Sequence, residues 1–271
     1  MPVRITIESP HRYPERFCIF GEGGSGKSSA VLSMARYMPT HHFWVNDTDV
    51  SFAYDRLLAT EYGDVEETGN ITILQSTDWE EFTENTAHIE KDADKRNDVL
   101  VVDNGTFPWQ WVQDHHTNVM YGKDYDIFAV DLKKQHAGDN KAYMAAIADG
   151  MQWPIVNKKF HKGFYRPFHK WSGHAVIVCQ SKAVGRDEKD ADIITQFKVH
   201  GAMPAGQKEL PFVMATNVLM LDRGRVAGKQ TWAMSTTKDR GRAKVEKMVV
   251  DEFARDYLVD VAGWNLERVR V

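Results

Sequence analysis

The octapeptide Gly21-Glu22-Gly23-Gly24-Ser25-Gly26-Lys27-Ser28 fits G-x-x-x-x-G-K-[ST] at every fixed position. An apolar run, Phe17-Cys18-Ile19-Phe20, precedes it, and a helical pattern from Lys27 to Tyr37 follows. Strand, glycine-rich turn and helix in that order make consecutive backbone N–H groups converge at the positive end of a helix. Such a point binds a phosphate chain. Lys27 is placed to reach β- and γ-phosphates, and Ser28 to ligate Mg²⁺. The candidate ligand-binding residues are therefore Gly21, Glu22, Gly23, Gly24, Ser25, Gly26, Lys27, Ser28 and Ser29, with ATP and Mg²⁺ as the implied cofactors.

Around this motif, short apolar runs alternate with longer helical patterns, as in an α/β sheet with crossover helices. Strands are expected at Val3 to Ile7, Arg16 to Phe20, His42 to Val45, Asn70 to Leu74, Asp98 to Val102 and His174 to Cys179. A helix from Asp78 to about Asp94 opens with Thr77 or Asp78 as N-cap and acidic residues in its first turn. Phe212 to Leu221 and Gln230 to Ser235 read as an antiparallel hairpin joined by Asp222-Arg223-Gly224-Arg225. A terminal packing helix is expected over Ala243 to Val261, where Val245, Met248, Val249, Phe253, Tyr257 and Leu258 fall at helical spacing. The segment from about 105 to 173 reads as a helical and loop insertion in one domain spanning 1–271, and its polar first part, Asp114 to Asn140, reads as a partly mobile loop.

Further candidates lie at strand ends. Val99-Leu100-Val101-Val102-Asp103 closes a buried strand with a carboxylate, so Asp103 is a second candidate Mg²⁺ ligand beside Ser28. Position 104 is Asn, so a base that activates water must come from elsewhere. Asp49 and then Asp47, just past the strand ending in Val45, are the candidates; both residues equally suit capping of the next helix. Gln180, ending Val176-Ile177-Val178-Cys179, can bond a γ-phosphate and report to the loop Ala183 to Gly206, or can cap its strand.

Taken together, Gly21 to Ser28, the acidic close of the next strand, Asp103 with a non-acidic follower, and Gln180 resemble the RecA-like P-loop ATPases. The likeness extends to small phage-encoded AAA-type nucleotide-binding proteins, some of which act as recombinases or annealing proteins. It covers about residues 15 to 245 and includes Gln207-Lys208-Glu209-Leu210-Pro211-Phe212 and Thr237-Lys238-Asp239-Arg240-Gly241-Arg242. The latter is similar to the Lys-x-Arg element with which such ATPases reach a neighbouring subunit's γ-phosphate. The resemblance thus implies a RecA-like core, a ring or filament with ATP at subunit interfaces, and Lys238 and Arg240 acting in trans; a solvated basic turn is the plainer reading of the same residues.

Composition narrows the partners. Lys and Arg number 34 against 38 Asp and Glu, a formal net charge of −4, which excludes a strongly basic nucleic-acid coat. Two cysteines in separate apolar runs give neither a disulfide framework nor zinc spacing, and no signal peptide or membrane span is evident, so a cytoplasmic protein (of a host cell if phage-encoded) with no membrane partner is expected. Between Trp153 and Trp171, Lys158, Lys159, Lys162, Arg166 and Lys170 interleave with Phe160, Phe164, Tyr165 and Phe168 and no acid. This is either a single-strand binding surface, with bases stacked on rings, or the buried stripe of a helix with lysines outward. Arg223, Arg225 and Lys229 form a second basic cluster. The expectation is a Mg²⁺-dependent, oligomeric ATPase acting on single-stranded DNA in phage-type recombination, annealing or replication. A ring helicase or translocase motor, a P-loop small-molecule kinase and a nucleotide-bound scaffold are the alternatives.

Overall fold

The computed structural model describes residues 14–226, 229–264 and 266; the expected strand at Val3 to Ile7 lies outside them. In chain order the elements are β1 (Arg16–Gly21), α1 (Lys27–Tyr37), β2 (Phe43–Asp47), α2 (Ala53–Thr60), α3 (Gly63–Thr68), β3 (Ile71–Gln75), α4 (Trp79–Asp92) and β4 (Val99–Asp103). There follow α5 (Phe107–Tyr121), α6 (Tyr125–Gln135), α7 (Asn140–Met151), α8 (Trp153–Phe160), a π-helical stretch (His161–Tyr165) and α9 (Arg166–Lys170). The remainder comprises β5 (Ala175–Ala183), α10 (Ala191–Phe197), β6 (Ala202–Pro204), α11 (Leu210–Val213), β7 (Thr216–Val226), β8 (Lys229–Asp239), β9 (Met248–Val250) and a π-helical stretch (Ala254–Val259).

The sheet runs β3-β2-β4-β5-β1-β7-β8-β9. Its first six strands are parallel, β8 and β9 are antiparallel additions, and β6 pairs with the far end of β5. This mostly parallel sheet flanked by helices, with antiparallel C-terminal strands, is the α/β arrangement expected. Both faces are covered: Phe17, Ile19, Val45, Val101 and Val178 pack under α1 and the C-terminal stretch, whereas Cys18, Phe20, Leu100, Val102 and Ile177 pack under α4 and the helices after β4. Period-two alternation thus sends neighbouring residues of one strand to two separate cores. Cys18 and Cys179 fall on adjacent strands, buried and free.

Three expectations are corrected. Asp114 to Asn140 is helical rather than a loop; α6 buries only Phe128 and α7 only Ile147 and Met151, so surface helices with little apolar stripe gave a weak periodic signal. The hairpin is longer than expected, and Asp222 to Arg225 form a bulge inside β7 instead of its turn, with Gly224 at φ +73° and its N–H donated to Asp222 Oδ1 at 2.7 Å. The terminal helix shrinks to the π-helical stretch, because Lys247 at φ +49° interrupts the chain and Met248–Val250 adds an edge strand to β8. A short run rich in Val fits either period until its partner strand is known.

The aromatic stripe resolves in favour of the core. Phe160, Phe164, Phe168 and Trp171 are each no more than 3% exposed, and Phe160 stacks on Phe164 with centroids 4.7 Å apart. Lys158, Lys162, Arg166 and Lys170 face outward on the same segment. Bases cannot stack on rings that are already covered. Phe164→Ala is expected to cost about 3–5 kcal/mol in chemical unfolding; an unchanged midpoint would contradict the buried stripe.

Candidate functional site

Strand β1 delivers its glycine-rich loop to the sheet edge where the parallel strands end, and α1 starts directly behind it. Gly26 stands at φ +85° as the N-cap of α1, and a Cβ there would overlap the indole of Trp232 on β8. Only glycine meets both demands. No side chain caps α1 and no acidic residue lies in its first turn, so its leading N–H groups remain available to an anion. Lys27 curls over the loop, its Nζ donating to Glu22 O at 2.6 Å. Burial lowers the Lys27 pKa, while Asp103 and Asp49 oppose that shift. The ammonium therefore sits desolvated in a place that an anionic ligand would favour.

Beside it, Ser28 Oγ donates to Asp103 Oδ2 at 2.9 Å, and Tyr54 OH from α2 donates to the same oxygen at 2.9 Å. Burial pushes the Asp103 carboxyl up to about 6, assisted by Asp47 on the adjacent strand and opposed by the Ser28 and Tyr54 hydrogen bonds. A hydroxyl and a carboxylate are hard oxygen donors suited to Mg²⁺. Among the described residues, no group of three or more His, Cys, Asp or Glu could hold a metal alone. The Ser28 and Asp103 pair thus fits an ion completed by phosphate oxygens and water rather than by a protein cage.

The two acidic candidates separate by depth. Asp47 is 3% exposed and accepts the Asp49 N–H at 3.1 Å; burial raises its pKa. Asp49 lines the cavity above the loop, together with Lys27, Ser28, Asp103 and Gln180. Asn104 also lines it, with its Oδ1 accepting the Thr106 N–H at 3.0 Å. Thr48 fastens this corner: its N–H donates to Asp103 O and its hydroxyl to Asn104 O, each at 2.6 Å. Gln180 leaves its side chain exposed in the cavity, while its N–H donates to Thr106 Oγ1 at 3.2 Å and its carbonyl accepts from Ala205 at 2.8 Å. The stretch Ala183 to Gly206 is thereby folded back as α10 and β6 instead of an open loop.

Lys238 and Arg240 are not brought to this cavity. Lys238 pairs with Asn217, which lies level with Cys18 near the start of β1, so both residues stand towards the edge opposite the glycine-rich loop. The Lys238 ammonium donates to Phe212 O at 2.8 Å and Pro211 O at 3.3 Å; burial, with Arg240 nearby, lowers it to about 8. Arg240 is exposed. Conversely, Tyr54, Arg56, Ser181, Gln230 and Trp232 join the site without any sequence signal, since none lies at a fixed spacing from the loop.

No family model matches the chain, and no curated protein matches it. Among solved structures it is similar to a RadB recombinase, with a TM-score of 0.47 and 13% identity over 88% of this chain and 86% of that one. It is also similar to the ATP synthase subunit NeqB from Nanoarcheaum equitans, with a TM-score of 0.41 and 10% identity over 78% of this chain and 46% of that one.

The raised Asp103 carboxyl carries a sign. Its ionised form costs the ligand-free fold stability, a cost absent below the ordinary 3.8 and complete above about 6. Asp103→Asn is therefore expected to stabilise the ligand-free protein by about 1–3 kcal/mol near neutral pH and to flatten the acid side of its stability profile. Urea unfolding across pH checks this; a destabilised variant at neutral pH would refute it.

Proposed function

We propose that this chain is a Mg²⁺-dependent ATPase of the RecA-like class, which oligomerises with ATP at its subunit interfaces and acts on single-stranded DNA in phage-type recombination, annealing or replication. The observation that carries the nucleotide reading is the meeting of Ser28 and Asp103 at 2.9 Å beside an uncapped helix start and a desolvated Lys27. Backbone N–H groups from Gly21 to Ser29 would cradle the phosphates, and Lys27 would leave Glu22 O for the β- and γ-phosphate oxygens. Ser28 and Asp103 would hold Mg²⁺, whose chemistry there is to neutralise charge on the phosphate oxygens.

Hydrolysis needs a water aligned behind the γ-phosphorus. Asp49, exposed in the cavity, would orient it and accept its proton as the new P–O bond forms and the bond to the β–γ bridging oxygen breaks. Asp47, buried below, would hold the Asp49 backbone through its 3.1 Å hydrogen bond. Gln180 would contact the γ-phosphate, and its backbone ties to Thr106 and Ala205 would pass the change towards α10 and β6. Arg240 would serve the γ-phosphate of a neighbouring subunit, with Lys238 holding the strand end through its two carbonyl partners. The outward Lys158, Lys162, Arg166 and Lys170 favour a polyanionic partner gripped through its phosphates, with no base stacking.

Steady-state ATP hydrolysis with and without single-stranded DNA tests the proposal. Lys27→Ala is expected to abolish turnover, and DNA to stimulate the unaltered protein in a salt-sensitive manner. Turnover indifferent to DNA would remove the nucleic-acid part, and wild-type turnover by Lys27→Ala would remove the whole. Mixing inactive Lys27→Ala and Arg240→Ala subunits is expected to restore activity; mixed oligomers without rescue would refute the trans role.

A further inference from the structure

A second cavity of about 420 Å³ opens beside the phosphate-loop cavity, and the two share Glu61, Gln230 and Trp232 as common walls. We propose that this second cavity receives the nucleoside end of the triphosphate ligand, with Gln230, Arg225 and Glu61 reading the base and ribose; the inference rests on the phosphate-loop reading above.

Direction comes first. Ala53, Arg56, Leu57 and Glu61 recur at helical spacing along α2 and its C-cap, forming one continuous wall from the Asp49 end of the first cavity to the mouth of the second. On the other side of that mouth, Tyr62 OH donates to Ser29 O at 3.2 Å, so the second cavity begins beside the first turn of α1. With the terminal phosphates placed towards Asp103 and Gln180, the rest of the ligand has this exit.

Charge comes second. The phosphate loop offers Lys27 and free N–H groups, whereas the second cavity sets Arg36, Arg225 and Arg255 against Glu61, Asp251 and Glu252. Equal numbers of opposite charges suit an uncharged, hydrogen-bonding group better than more phosphate. Arg36 is saturated by Asp64 at 2.6 Å and Glu252 at 2.9 Å, and its guanidinium covers the Tyr62 ring at 4.3 Å. That leaves specific groups with capacity to spare. Gln230 Nε2 is fixed on Asp222 Oδ1 at 2.6 Å, so its Oε1 remains an acceptor suited to an exocyclic amine. Among the described residues no hydrogen bond engages the Glu61 carboxylate or the Arg225 guanidinium, the first suited to ribose hydroxyls and the second to ring nitrogens.

Calorimetric titration with MgATP and with magnesium tripolyphosphate separates the nucleoside from the phosphates. The unaltered protein is expected to bind ATP at least about tenfold more tightly than tripolyphosphate. The double variant Arg225→Ala/Gln230→Ala on the hairpin and, independently, Glu61→Ala at the end of α2 are each expected to lose about tenfold for ATP and none for tripolyphosphate. Equal affinities in the unaltered protein, or variants that weaken both ligands alike, would overturn this inference while leaving the phosphate loop standing, provided that Lys27→Ala loses both. Failure of the unaltered protein to bind either ligand would overturn the phosphate-loop reading and this inference with it.

Discussion

The hydrogen bond from Ser28 to Asp103 depends on a strand order that no local signal sets. Asp103 ends β4 and Ser28 begins α1 after β1, with β5 between the two strands, so two inter-strand spacings of about 4.8 Å separate their axes. The loop after β1 spans that gap only because β4 and β1 end on either side of β5 near the same level, in register through Asp103 with Val178 and Gly21 with Gln180. Everything else in the cavity is arranged about this junction. Tyr54 reaches it from α2, Thr48 fastens the Asp103 backbone from the end of β2, and Trp232 seals the Gly26 side from β8.

The same junction concentrates unfavourable electrostatics. Burial raises Asp103 and Asp47 and lowers Lys27, which means that each charged form is held in surroundings poorer than water. Nearby, Val50 and Phe52 occupy the left-handed region at φ +46° and +54°, on the loop that bears Asp49. β-branched Val50 is especially costly there. Arg56 braces that loop, donating to Ser51 O at 2.8 Å. A site that is stressed when ligand-free gains by accepting a cation and an anion together, since each new charge relieves an existing one.

Stability is supplied away from the cavity. The two cores on opposite sheet faces hold the strand order, and the hairpin is fixed at its far end by the cluster of Asp239, Arg242, Glu15 and Tyr257, in which Tyr257 OH donates to the buried Asp239 at 2.6 Å. Lys238 belongs to this end. Its hydrogen bonds to the carbonyls of Pro211 and Phe212 join the hairpin to the chain entering β7. Among the described residues no helix is long and apolar enough to cross a membrane.

From the sequence alone, the glycine-rich loop, its strand and its helix were legible because their geometry is local: glycines permit the turn, and the helix supplies the N–H groups within a few residues. Asp103 and Gln180, which line the same cavity, could also be singled out, since each follows an apolar run that reads as a buried strand. Asp49 could be placed ahead of Asp47, but the depth that separates them, with Asp47 buried and Asp49 in the cavity, depends on neighbouring elements. Buried Phe160 and Phe164 and outward Lys158 and Lys162 were equally ambiguous, because helical spacing states which residues share a face and not what that face meets. Only the tertiary structure brought Tyr54, Arg56, Gln230 and Trp232 to the loop and set Lys238 and Arg240 towards the opposite edge, since strand order and hairpin direction arise from packing across the whole sheet rather than from any one segment.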